Sequence, residues 1–582
     1  MAMGLLVVFE GIDGSGKTTI SNRVADELRR AGRSVRHARE GGQFASRVTQ
    51  SIRDVCRDAR NLALAPRTEL LLYLAREVQL LEEIVRPALA ESDVVIADRF
   101  IYTAEVLAQH GRGLPADVVG PIIAAARAGD IERAPAIEPD LVILIDVDPS
   151  VARGRRKIAK IVASDRRSPS RKGLAGSGMQ IRLRDGYRAL AERDPRRWIV
   201  IDNSDADVDA QVARITALIL SAQASGVGPA IADTRAALAS APRRAPAAPV
   251  ATSREALAAF MAWVDHRARR EPSLAAYVLA GLAGPGIDER RRALAPVAPR
   301  ILARGLRGLD DAVSWQLRSQ LRALAPQEVA FSLDGAAALA DQAWALRREL
   351  LEAAPVDVAS SLQRLDSEAA WQLRERLWPI APEGVMMSLA WVLGTRAWQS
   401  RERWLDLRGG SSGAILRSYE GARIACRAIT GLDDARAWEL RTIALDSAPV
   451  ASIASLEGLH SEHAWVWRAR HLDRAPKAVL ATIAGIDDPR AWTMRQATAH
   501  RCREALDSMI GLDHPIAWEM RAACLDVWPA TVIKSLGPLV GDPRGCDLLS
   551  RALARHPESI SLLKQAATVA TGGHLHPNVL AA

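Results

Sequence analysis

The sequence has few cysteines and no apolar segment long enough to cross a membrane. Five cysteines are scattered through the 582 residues: Cys56, Cys426, Cys502, Cys524 and Cys546. No two of them have the spacing of a metal site, and an odd number leaves one out of any disulfide scheme. We therefore predict a reducing, cytoplasmic setting. Residues 1–10 lack the basic leader and cleavage site of a signal peptide, so we expect a first strand there.

The sequence also lacks a broad excess of charge of one sign. Residues 1–222 contain 34 Lys and Arg against 30 Asp and Glu, and residues 223–582 contain 43 against 38. The segment 151–172 alone holds nine basic residues and one acidic residue. A basic segment confined to one place indicates a site for phosphates and argues against a nucleic-acid-binding face.

Residues 1–222 alternate short apolar runs with amphipathic stretches. Strands are predicted at Leu5–Phe9, Val94–Ala97, Leu141–Val147 and Trp198–Ile201. Helices are predicted at Thr18–Ala31, Thr68–Leu89, Ala116–Ala128, Met179–Glu192 and Val208–Ser221. This alternation predicts an α/β domain, in which helices cover both faces of a parallel sheet.

A chain of this length should form two or more domains. Residues 223–252, which include the Pro/Ala-rich stretch 241–249, are expected to form a linker. From 253 to about 575 no strand-like alternation occurs, and tryptophan recurs every 26–29 residues with one gap of 40. The repeat is marked by Trp315, Trp344, Trp371, Trp398, Trp438, Trp465, Trp492 and Trp518.

Each of these tryptophans has an arginine three positions later: Arg318, Arg347, Arg374, Arg401, Arg441, Arg468, Arg495 and Arg521. Six have a proline eleven positions later: Pro326, Pro355, Pro382, Pro449, Pro476 and Pro529. About 27 residues suffice for two short helices, and one such pair cannot bury its own apolar face. The repeats should therefore stack as an all-α solenoid, with the extra residues near Gly409–Gly413 in a loop.

Two roles are open for the tryptophan–arginine pairs. In the first, each arginine stacks on its tryptophan inside the solenoid. In the second, the arginines form a row on one face and bind an acidic partner. A protein partner on the solenoid is expected by analogy with other solenoids.

A strand, a glycine-rich loop and a helix follow one another at the N-terminus. The loop Gly11–Thr18 has the pattern G-x-x-x-x-G-K-T, whose backbone N–H groups cradle phosphates. Lys17 should reach the β- and γ-phosphates of ATP, and Thr18 should hold Mg²⁺. The predicted ATP-binding residues are Gly11, Ile12, Asp13, Gly14, Ser15, Gly16, Lys17, Thr18 and Thr19.

From residue 5 to about 220 the sequence resembles the bacterial thymidylate kinase family. The resemblance rests on several ordered motifs: Phe9–Thr19, Glu69–Ala75, Ile84–Leu89, Asp98-Arg99-Phe100 with Thr103, Gly111-Arg112-Gly113, Leu144–Pro149 and Ile201-Asp202. It implies a P-loop nucleoside monophosphate kinase fold, ATP with Mg²⁺, and a nucleoside monophosphate acceptor, above all dTMP. A homodimer through the kinase domain stays open.

The resemblance also implies site residues. Arg99 would grip the acceptor phosphate, for which a guanidinium fork is suited. Asp98 and Asp13 would join Lys17 and Arg99 as catalytic residues, and 151–172 would be the lid, with Arg153 and Arg166 as catalytic candidates. The acceptor-binding residues would be Asp13, Tyr73, Arg76, Arg99 and Thr103.

The sequence departs from the family mainly on the acceptor side. The family's Arg-Glu-Pro-Gly-Gly segment is one residue short at Arg39–Gly42, and its base-binding arginine position holds Glu77, with Arg76 displaced by one. One residue turns a helix by about 100°. Three functions therefore remain: a dTMP kinase with an appended interaction domain, a catalytically weak nucleotide sensor coupled to a protein-binding solenoid, and, less favoured, a shikimate- or sugar-type kinase.

Overall fold

The structure is a computed structural model, and it describes residues 4–39, 46–58, 64–128, 136–163, 177–204, 207–240, 253–334, 340–407, 415–500, 502–556 and 559–570. The chain forms two compact units. The first comprises Met1–Lys157 and Arg166–Pro246, and the second comprises Ile158–Asp165 and Ala247–Ala582.

A five-stranded parallel sheet in the order β2-β3-β1-β4-β5 lies at the centre of the first unit. Its strands are β1 (Leu5–Glu10), β2 (Val35–His37), β3 (Val94–Asp98), β4 (Leu141–Asp146) and β5 (Trp198–Asp202). Four strands confirm the sequence prediction. The fifth, β2, has three residues, and its Val-Arg-His sequence contains no apolar run that could have predicted it.

Ten helices accompany these strands in the described part of residues 4–240. They are α1 (Lys17–Arg30), α2 (Arg47–Arg57), α3 (Pro66–Leu80), α4 (Arg86–Glu91), α5 (Ile101–Val106), α6 (Ala116–Arg127), α7 (Pro149–Val162), α8 (Ser177–Arg193), α9 (Val208–Ser225) and α10 (Val227–Ser240). Two π-helical turns, Leu81–Val85 and Leu107–Gly111, follow α3 and α5. The predicted α/β fold is confirmed.

The core of this unit explains why its strands are apolar throughout. Val7, Ile96, Ile143 and Ile199 lie in neighbouring strands and are at most 1% exposed, with α1 and α9 packed over them. A parallel sheet that is covered on both faces buries successive residues of each strand, so its polar groups are left to the strand ends. The carboxyl ends of β1, β3, β4 and β5 accordingly hold Glu10, Asp98, Asp146 and Asp202.

The expected linker over 223–252 differs from the structure in its first part. Residues 227–240 form α10, which packs against α9 and buries Ala230 and Ile231 in the sheet core. An alanine-rich helix can bury a narrow face at little entropic cost, and composition alone did not reveal that face. Residues 241–252 lie outside the described residues.

The second unit consists of paired short helices. Before the repeats lies α11 (Ser253–Arg270). The A helices, most of which bear the repeat tryptophans, are α13 (Pro285–Leu294), α15 (Ala312–Leu321), α17 (Asp341–Glu349), α19 (Glu368–Leu377), α21 (Thr395–Leu407), α23 (Ala435–Ser447), α25 (Glu462–His471), α27 (Pro489–Thr498), α29 (Pro515–Cys524) and α31 (Pro543–Arg555).

The B helices alternate with the A helices along the chain. They are α12 (Pro272–Val278), α14 (Pro299–Gly305), α16 (Pro326–Ser332), α18 (Pro355–Ser360), α20 (Pro382–Ser388), α22 (Tyr419–Ala428), α24 (Pro449–Ala454), α26 (Pro476–Thr482), α28 (Glu504–Asp507), α30 (Pro529–Leu536) and α32 (Ile560–Ala570). Proline at the first position of most B helices costs no hydrogen bond and fixes φ for the first turn. The predicted all-α repeat is confirmed, and the expected loop at 409–413 lies outside the described residues.

The row of B helices closes on itself. Each B helix packs against the next from α12 to α32, and α11 packs against both α32 and α12. Lys564 of α32 donates a hydrogen bond to the carbonyl of Ala280, just after α12, at 2.8 Å. The sequence predicts a stack of repeats, but whether the two ends meet depends on small rotations between repeats that no single repeat records.

The repeat arginines are buried and stack on their tryptophans. All eight are at most 1% exposed, and their guanidinium carbons lie 4.4–5.0 Å from the indole centroids. The first of the two predicted roles is therefore correct. A row of arginines on a binding face is wrong, because each guanidinium is used inside the repeat.

The hydrogen bonds of Arg468 show the pattern. Its Nη2 donates to the carbonyls of Leu456 and Leu459 at 2.9 and 2.8 Å, and its Nε donates to the Thr482 hydroxyl at 3.0 Å. One arginine thus joins the end of α24 to the end of α26, and carbonyls at helix C-termini favour a cation. Burial nonetheless lowers the pKa of Arg468 to about 10.

Among the helices that the structure describes, none combines the length and the apolar character needed to span a membrane.

Candidate functional site

The loop between β1 and α1 has a backbone that only glycine adopts easily. Gly11, Gly14 and Gly16 have φ angles of 144°, 90° and 93°. A Cβ atom added at Gly14 would lie 2.3 Å from the carbonyl oxygen of Ala152 in α7. The loop leads directly into α1, so its N–H groups and the positive end of the helix dipole face the same place. This arrangement can bind an anion such as a phosphate.

Lys17 opens α1 and is buried beneath the loop. Its Nζ lies 3.4 Å from the carbonyl oxygen of Ile12 and 3.8 Å from Oδ1 of Asp13. Burial and the charge of Arg99 lower the pKa of Lys17 to about 8. The ammonium is therefore held close to the phosphate-binding loop by weak contacts, which phosphate oxygens can replace.

Asp98 ends β3 beside the start of α1. The Thr18 hydroxyl donates a hydrogen bond to Oδ2 of Asp98 at 2.5 Å, and the buried Oδ1 of Asp98 has no hydrogen-bond partner among the described residues. Hydroxyl and carboxylate oxygens are hard ligands of the kind that Mg²⁺ takes together with substrate phosphates. Thr18 and Asp98 therefore fit a Mg²⁺ ion that reaches the protein with ATP.

Arg99 has a φ of 83°, which places a non-glycine residue in the left-handed region. Its Nη2 donates to Oδ1 of Asp13, and its Nη1 lies 3.2 Å from the Thr103 hydroxyl and 3.3 Å from the Tyr187 hydroxyl. Although burial alone would lower it, Asp13 and Tyr187 raise the pKa of Arg99. Arg99 is thus a permanent cation between the phosphate-binding loop and α5.

Two residues that were not predicted as site residues, Glu10 and Tyr187, fix the surroundings of Arg99. Buried Glu10 accepts hydrogen bonds from the Phe100 N–H at 2.9 Å and the Thr103 hydroxyl at 2.8 Å. Tyr187 of α8 lies 3.0 Å from the same hydroxyl. Burial raises the pKa of Glu10, against the effect of Arg99. An acidic residue at the end of an apolar strand was the signal for Glu10, whereas nothing in the sequence places Tyr187 here.

On α3, Tyr73, Arg76 and Glu77 form one buried cluster with Arg39. The Arg76 guanidinium lies 4.6 Å from the Tyr73 ring centroid and donates to Oε1 of Glu77 at 2.5 Å. Arg39 donates to both Glu77 oxygens at 2.5 Å and to the carbonyl of Asp98 at 2.6 Å. Both arginines lower the pKa of Glu77, against the effect of its burial. Glu77 is thus the common partner of two arginines.

Two of the family-like motifs meet beside this cluster. Arg112 donates to Oε2 and Oε1 of Glu69 at 2.5 and 3.1 Å, and Glu69 is 1% exposed. A narrow cleft between α3 and α5 is lined by Glu69, Tyr73, Ala108 and Arg112, among others. The pair joins the start of α3 to the turn after α5 and so fixes the wall on which Tyr73 lies.

The predicted lid begins on α7, which carries Arg153, Arg155 and Arg156. A Cβ atom at Gly14 would lie 3.0 Å from Cγ of Arg156, so Arg156 passes directly over the phosphate-binding loop. Burial lowers the pKa of Arg156, against the effect of Asp13, and in the part of the chain that the structure describes its buried Nε has no hydrogen-bond partner. Arg156 belongs to the predicted lid but was not one of its two catalytic candidates, Arg153 and Arg166, and it lies against the loop.

The structure brings most of the predicted residues together around the carboxyl ends of β1 and β3. Residues 11–19 form the loop and the start of α1. Next to them lie Asp98, Arg99 and Thr103. The contact between Arg39 and Asp98 joins the cluster of Tyr73 and Arg76 to the same edge of the sheet. Arg166 and residues 40–42 lie outside the described residues. The predicted roles in catalysis and binding stay predictions.

Comparisons with known proteins agree with this geometry. The family model for thymidylate kinase matches residues 9–215. A thymidylate kinase of Geobacter sulfurreducens is 37% identical over 218 residues, which are 38% of this chain and 97% of that protein. One of Solidesulfovibrio magneticus is 36% identical over 34% of this chain and 90% of that protein.

A crystal structure of a thymidylate kinase from Ehrlichia chaffeensis aligns with 37% of this chain and 96% of its own, with 24% identity and a TM-score of 0.27. The sequence relatives are the stronger finding, because this chain covers at least 90% of each and shares more than a third of their residues. Through residues 9–215, this chain belongs to the thymidylate kinase family.

Proposed function

We propose that this nucleoside monophosphate kinase transfers the γ-phosphate of ATP to dTMP and forms dTDP. The observation that carries the proposal is the position of Arg99. Its guanidinium lies between Asp13 of the phosphate-binding loop and Thr103 of α5, where the donor and acceptor phosphates must meet.

The donor side would work through residues 11–19 and the lid. The loop N–H groups and Lys17 hold the β- and γ-phosphates, and Thr18 and Asp98 would hold a Mg²⁺ ion whose charge would add to theirs at those phosphates. Arg156 stands over the loop, with Arg153 and Arg166 as further lid candidates. Since phosphoryl transfer spreads negative charge over the γ-oxygens, fixed cations lower the barrier mainly by electrostatic stabilisation.

The acceptor side would work through Arg99 and the cluster around Glu77. Arg99 holds the monophosphate and Asp13 keeps Arg99 in place, so that an acceptor oxygen faces the γ-phosphorus while ADP leaves on the other side. Tyr73 offers a ring face to the base, and Arg76 offers donors beside it. Glu77 itself does not contact the base in this proposal but holds Arg39 and Arg76.

We propose the same division of the chain as the sequence analysis, with a later boundary. The kinase domain would extend through α10, and the repeat domain would begin at α11. A protein partner of the repeat domain and a homodimer through the kinase domain both stay predictions.

The experiment is a panel of monophosphates with ATP and Mg²⁺, with ADP release as the readout. We expect dTMP to give the highest kcat/KM, above dUMP, dCMP, dGMP and AMP. The Lys17→Ala variant should lose nearly all turnover with every acceptor. Faster turnover of another monophosphate would overturn the dTMP assignment, and ATP binding without transfer to any acceptor would favour the nucleotide-sensor function.

A further inference from the structure

Asn203 follows β5 and is buried against the phosphate-binding loop. Its side-chain Nδ2 donates a hydrogen bond to the carbonyl of Ser15 at 2.7 Å, and its backbone N–H donates to the carbonyl of Asp146 at 2.8 Å. Asn203 is 2% exposed, and a Cβ atom at Gly16 would lie 2.7 Å from its Nδ2. The amide therefore touches the loop at one peptide group, Ser15–Gly16.

The orientation of that peptide group decides what the loop can bind. In a planar trans peptide the C=O and N–H bonds point in opposite directions. Because Asn203 holds the Ser15 carbonyl on its own side, the Gly16 N–H points away from Asn203. It is thereby turned towards the concave side of the loop, where a phosphate accepts such donors.

Asn203 is also tied to the helix that begins the lid. Both Nη1 and Nη2 of Arg155 donate to the carbonyl oxygen of Asn203 at 3.1 Å. The next residue, Ser204, also contacts the chain before α7: its hydroxyl accepts a hydrogen bond from the Asp148 N–H at 3.2 Å. One short segment after β5 thus connects α7 to the phosphate-binding loop.

We propose that Asn203 is a positioning residue for phosphoryl transfer, which orients the Ser15–Gly16 peptide and links it through Arg155 to α7. The part of this inference that is tested by turnover rests on the proposed function, whereas the part tested by ATP binding does not. Asn203 contacts neither substrate in this role, so its loss should weaken the grip on the ATP phosphates and leave the acceptor site unchanged.

The test compares Asn203→Asp with wild type in the full-length protein. An aspartate has nearly the same shape, but its ionised carboxylate cannot donate to the Ser15 carbonyl. We expect the KM for ATP and the equilibrium Kd for ATP–Mg²⁺ to rise at least tenfold, with the acceptor KM within twofold. Gln211→Ala is the matched control, since Gln211 donates to the neighbouring Asp202 carbonyl at 3.0 Å without reaching the loop.

Two outcomes would overturn the inference: an unchanged Kd for ATP–Mg²⁺ in Asn203→Asp, or an equal rise in the Gln211→Ala control. If wild type transfers phosphate to no monophosphate, the proposed function fails, yet the Kd comparison still decides the role of Asn203. Asn203→Ser, which keeps a shorter donor, should lie between Asn203→Asp and wild type.

A second, independent observation concerns the ends of the B helices. In the turns after most of the described B helices, a residue one to four positions past the helix end adopts a left-handed backbone, and at seven such positions it is glycine: Gly281, Gly308, Gly431, Gly458, Gly485, Gly511 and Gly537. At the equivalent positions after α18 and α20 stand Arg364 (φ 64°) and Trp391 (φ 58°). Each costs conformational energy that glycine would not, and such outliers are retained where their side chains have a role.

The two side chains meet each other between neighbouring repeats, and Arg364 also reaches a repeat further along the chain. The Arg364 guanidinium lies 3.9 Å from the Trp391 ring centroid and 3.4 Å from Oε1 of Glu457, near the end of α24. The Trp391 indole covers Gly431 and Gly458, where added Cβ atoms would lie 2.3 and 3.4 Å from it. These two glycines thus leave the space that the indole fills.

The contacts span the one irregular repeat of the described array. The tryptophans on either side of it, Trp398 and Trp438, are 40 residues apart. Its arginine, Arg401, lacks the hydroxyl acceptor found in other repeats, and its Nε donates to the Ala428 carbonyl at 3.1 Å instead. Between α20 and α22 the arginine therefore bonds to backbone carbonyls at both ends and to no side-chain hydroxyl among the described residues.

We infer that Arg364, Trp391 and Glu457 form a clamp that holds α18, α20, α22 and α24 together across the irregular repeat. The clamp compensates for the side-chain hydroxyl acceptor that Arg401 lacks, and it keeps the row of B helices closed. If these side chains had no role, replacing them by glycine would stabilise the protein, because glycine adopts the left-handed backbone without strain. If they form a clamp, the same replacement would destabilise it, because the clamp contacts would be lost.

The test is whether Trp391→Gly lowers or raises the protection of α22 amides from hydrogen exchange in the full-length protein. We expect protection of α22 to fall at least tenfold in Trp391→Gly and in Arg364→Gly, with no further fall in the double variant. Leu393→Ala, at a nearby exposed side chain, is the control and should change nothing. Equal or greater protection of α22 in Trp391→Gly would overturn the clamp.

Discussion

At the scale of single residues, Glu77 is a departure from the family pattern whose partners only the structure reveals. The sequence places a carboxylate where an arginine is expected, and helix geometry alone turns Arg76 away from that position. The structure supplies what spacing could not. Arg39 comes from a distant segment, and Glu77 binds both Arg39 and Arg76, of which Arg76 lies beside Tyr73. The partner of a buried charge depends on tertiary contacts, so no local pattern could name Arg39.

Glu77→Gln should weaken acceptor binding. The amide cannot neutralise two buried guanidinium groups, so Arg39 and Arg76 lose their common anchor, at a cost of about 3–5 kcal/mol in the free energy of unfolding. We expect the acceptor KM to rise at least tenfold and the KM for ATP to change little, as measured by initial rates. Glu82→Gln is the control, because Glu82 forms an exposed pair with Arg86. Equal effects on both KM values would contradict this role.

Lys17 should make ATP affinity depend on pH. Its pKa in the free protein is about 8, because burial and Arg99 disfavour the charged form. Phosphate oxygens require the ammonium, so binding should be constant below pH 8 and weaken as pH rises above 8. It follows that binding at pH 8 takes up protons, which calorimetry in buffers of different ionisation enthalpy can count. Lys17→Arg, which stays charged, should abolish the uptake between pH 8 and pH 9.

At the scale of elements, periodicity predicts strongly apolar segments and fails for short or weakly patterned ones. The four buried strands and the paired repeat helices follow from runs and spacings in the sequence. By contrast, β2 has three residues, and α10 buries only a narrow alanine-rich face. The tryptophan–arginine spacing predicted stacking as one of two roles. The helix-end carbonyls that each arginine joins belong to different helices and became visible only in the structure.

Arg468→Lys should destabilise the repeat domain although it keeps the charge. A lysine ammonium has no planar fork, so it cannot reach the Leu456 and Leu459 carbonyls and the Thr482 hydroxyl together. We expect a loss of about 2–4 kcal/mol, as for breaking other buried charged networks. Chemical denaturation followed by tryptophan fluorescence measures it. The exposed Arg470→Lys on the same helix should change stability by less than about 0.5 kcal/mol. A similar result for both variants would show that the buried fork is dispensable.

At the scale of the whole molecule, the two units raise the question of what the kinase needs. The sheet core of the first unit includes α9 and α10 and uses residues of that unit alone. The alignments with the two relatives cover 34–38% of this chain but 90–97% of the relatives. These two thymidylate kinases therefore have no counterpart of the repeat domain. The sequence predicted this division from a change in periodicity, but it could not show that the B helices close into a row.

A fragment of residues 1–246 should therefore retain phosphoryl transfer. Its core, phosphate-binding loop and acceptor cluster lie within residues 4–240, so we expect its kcat with dTMP to be within about threefold of the full chain, a barrier difference below about 1 kcal/mol. Steady-state assays at equal active-site concentration compare the two, and Lys17→Ala in the fragment is the negative control. A folded fragment with normal ATP affinity but kcat lowered more than a hundredfold would mean that phosphoryl transfer depends on the repeat domain. Retained activity would leave the closed row of B helices free for a separate role.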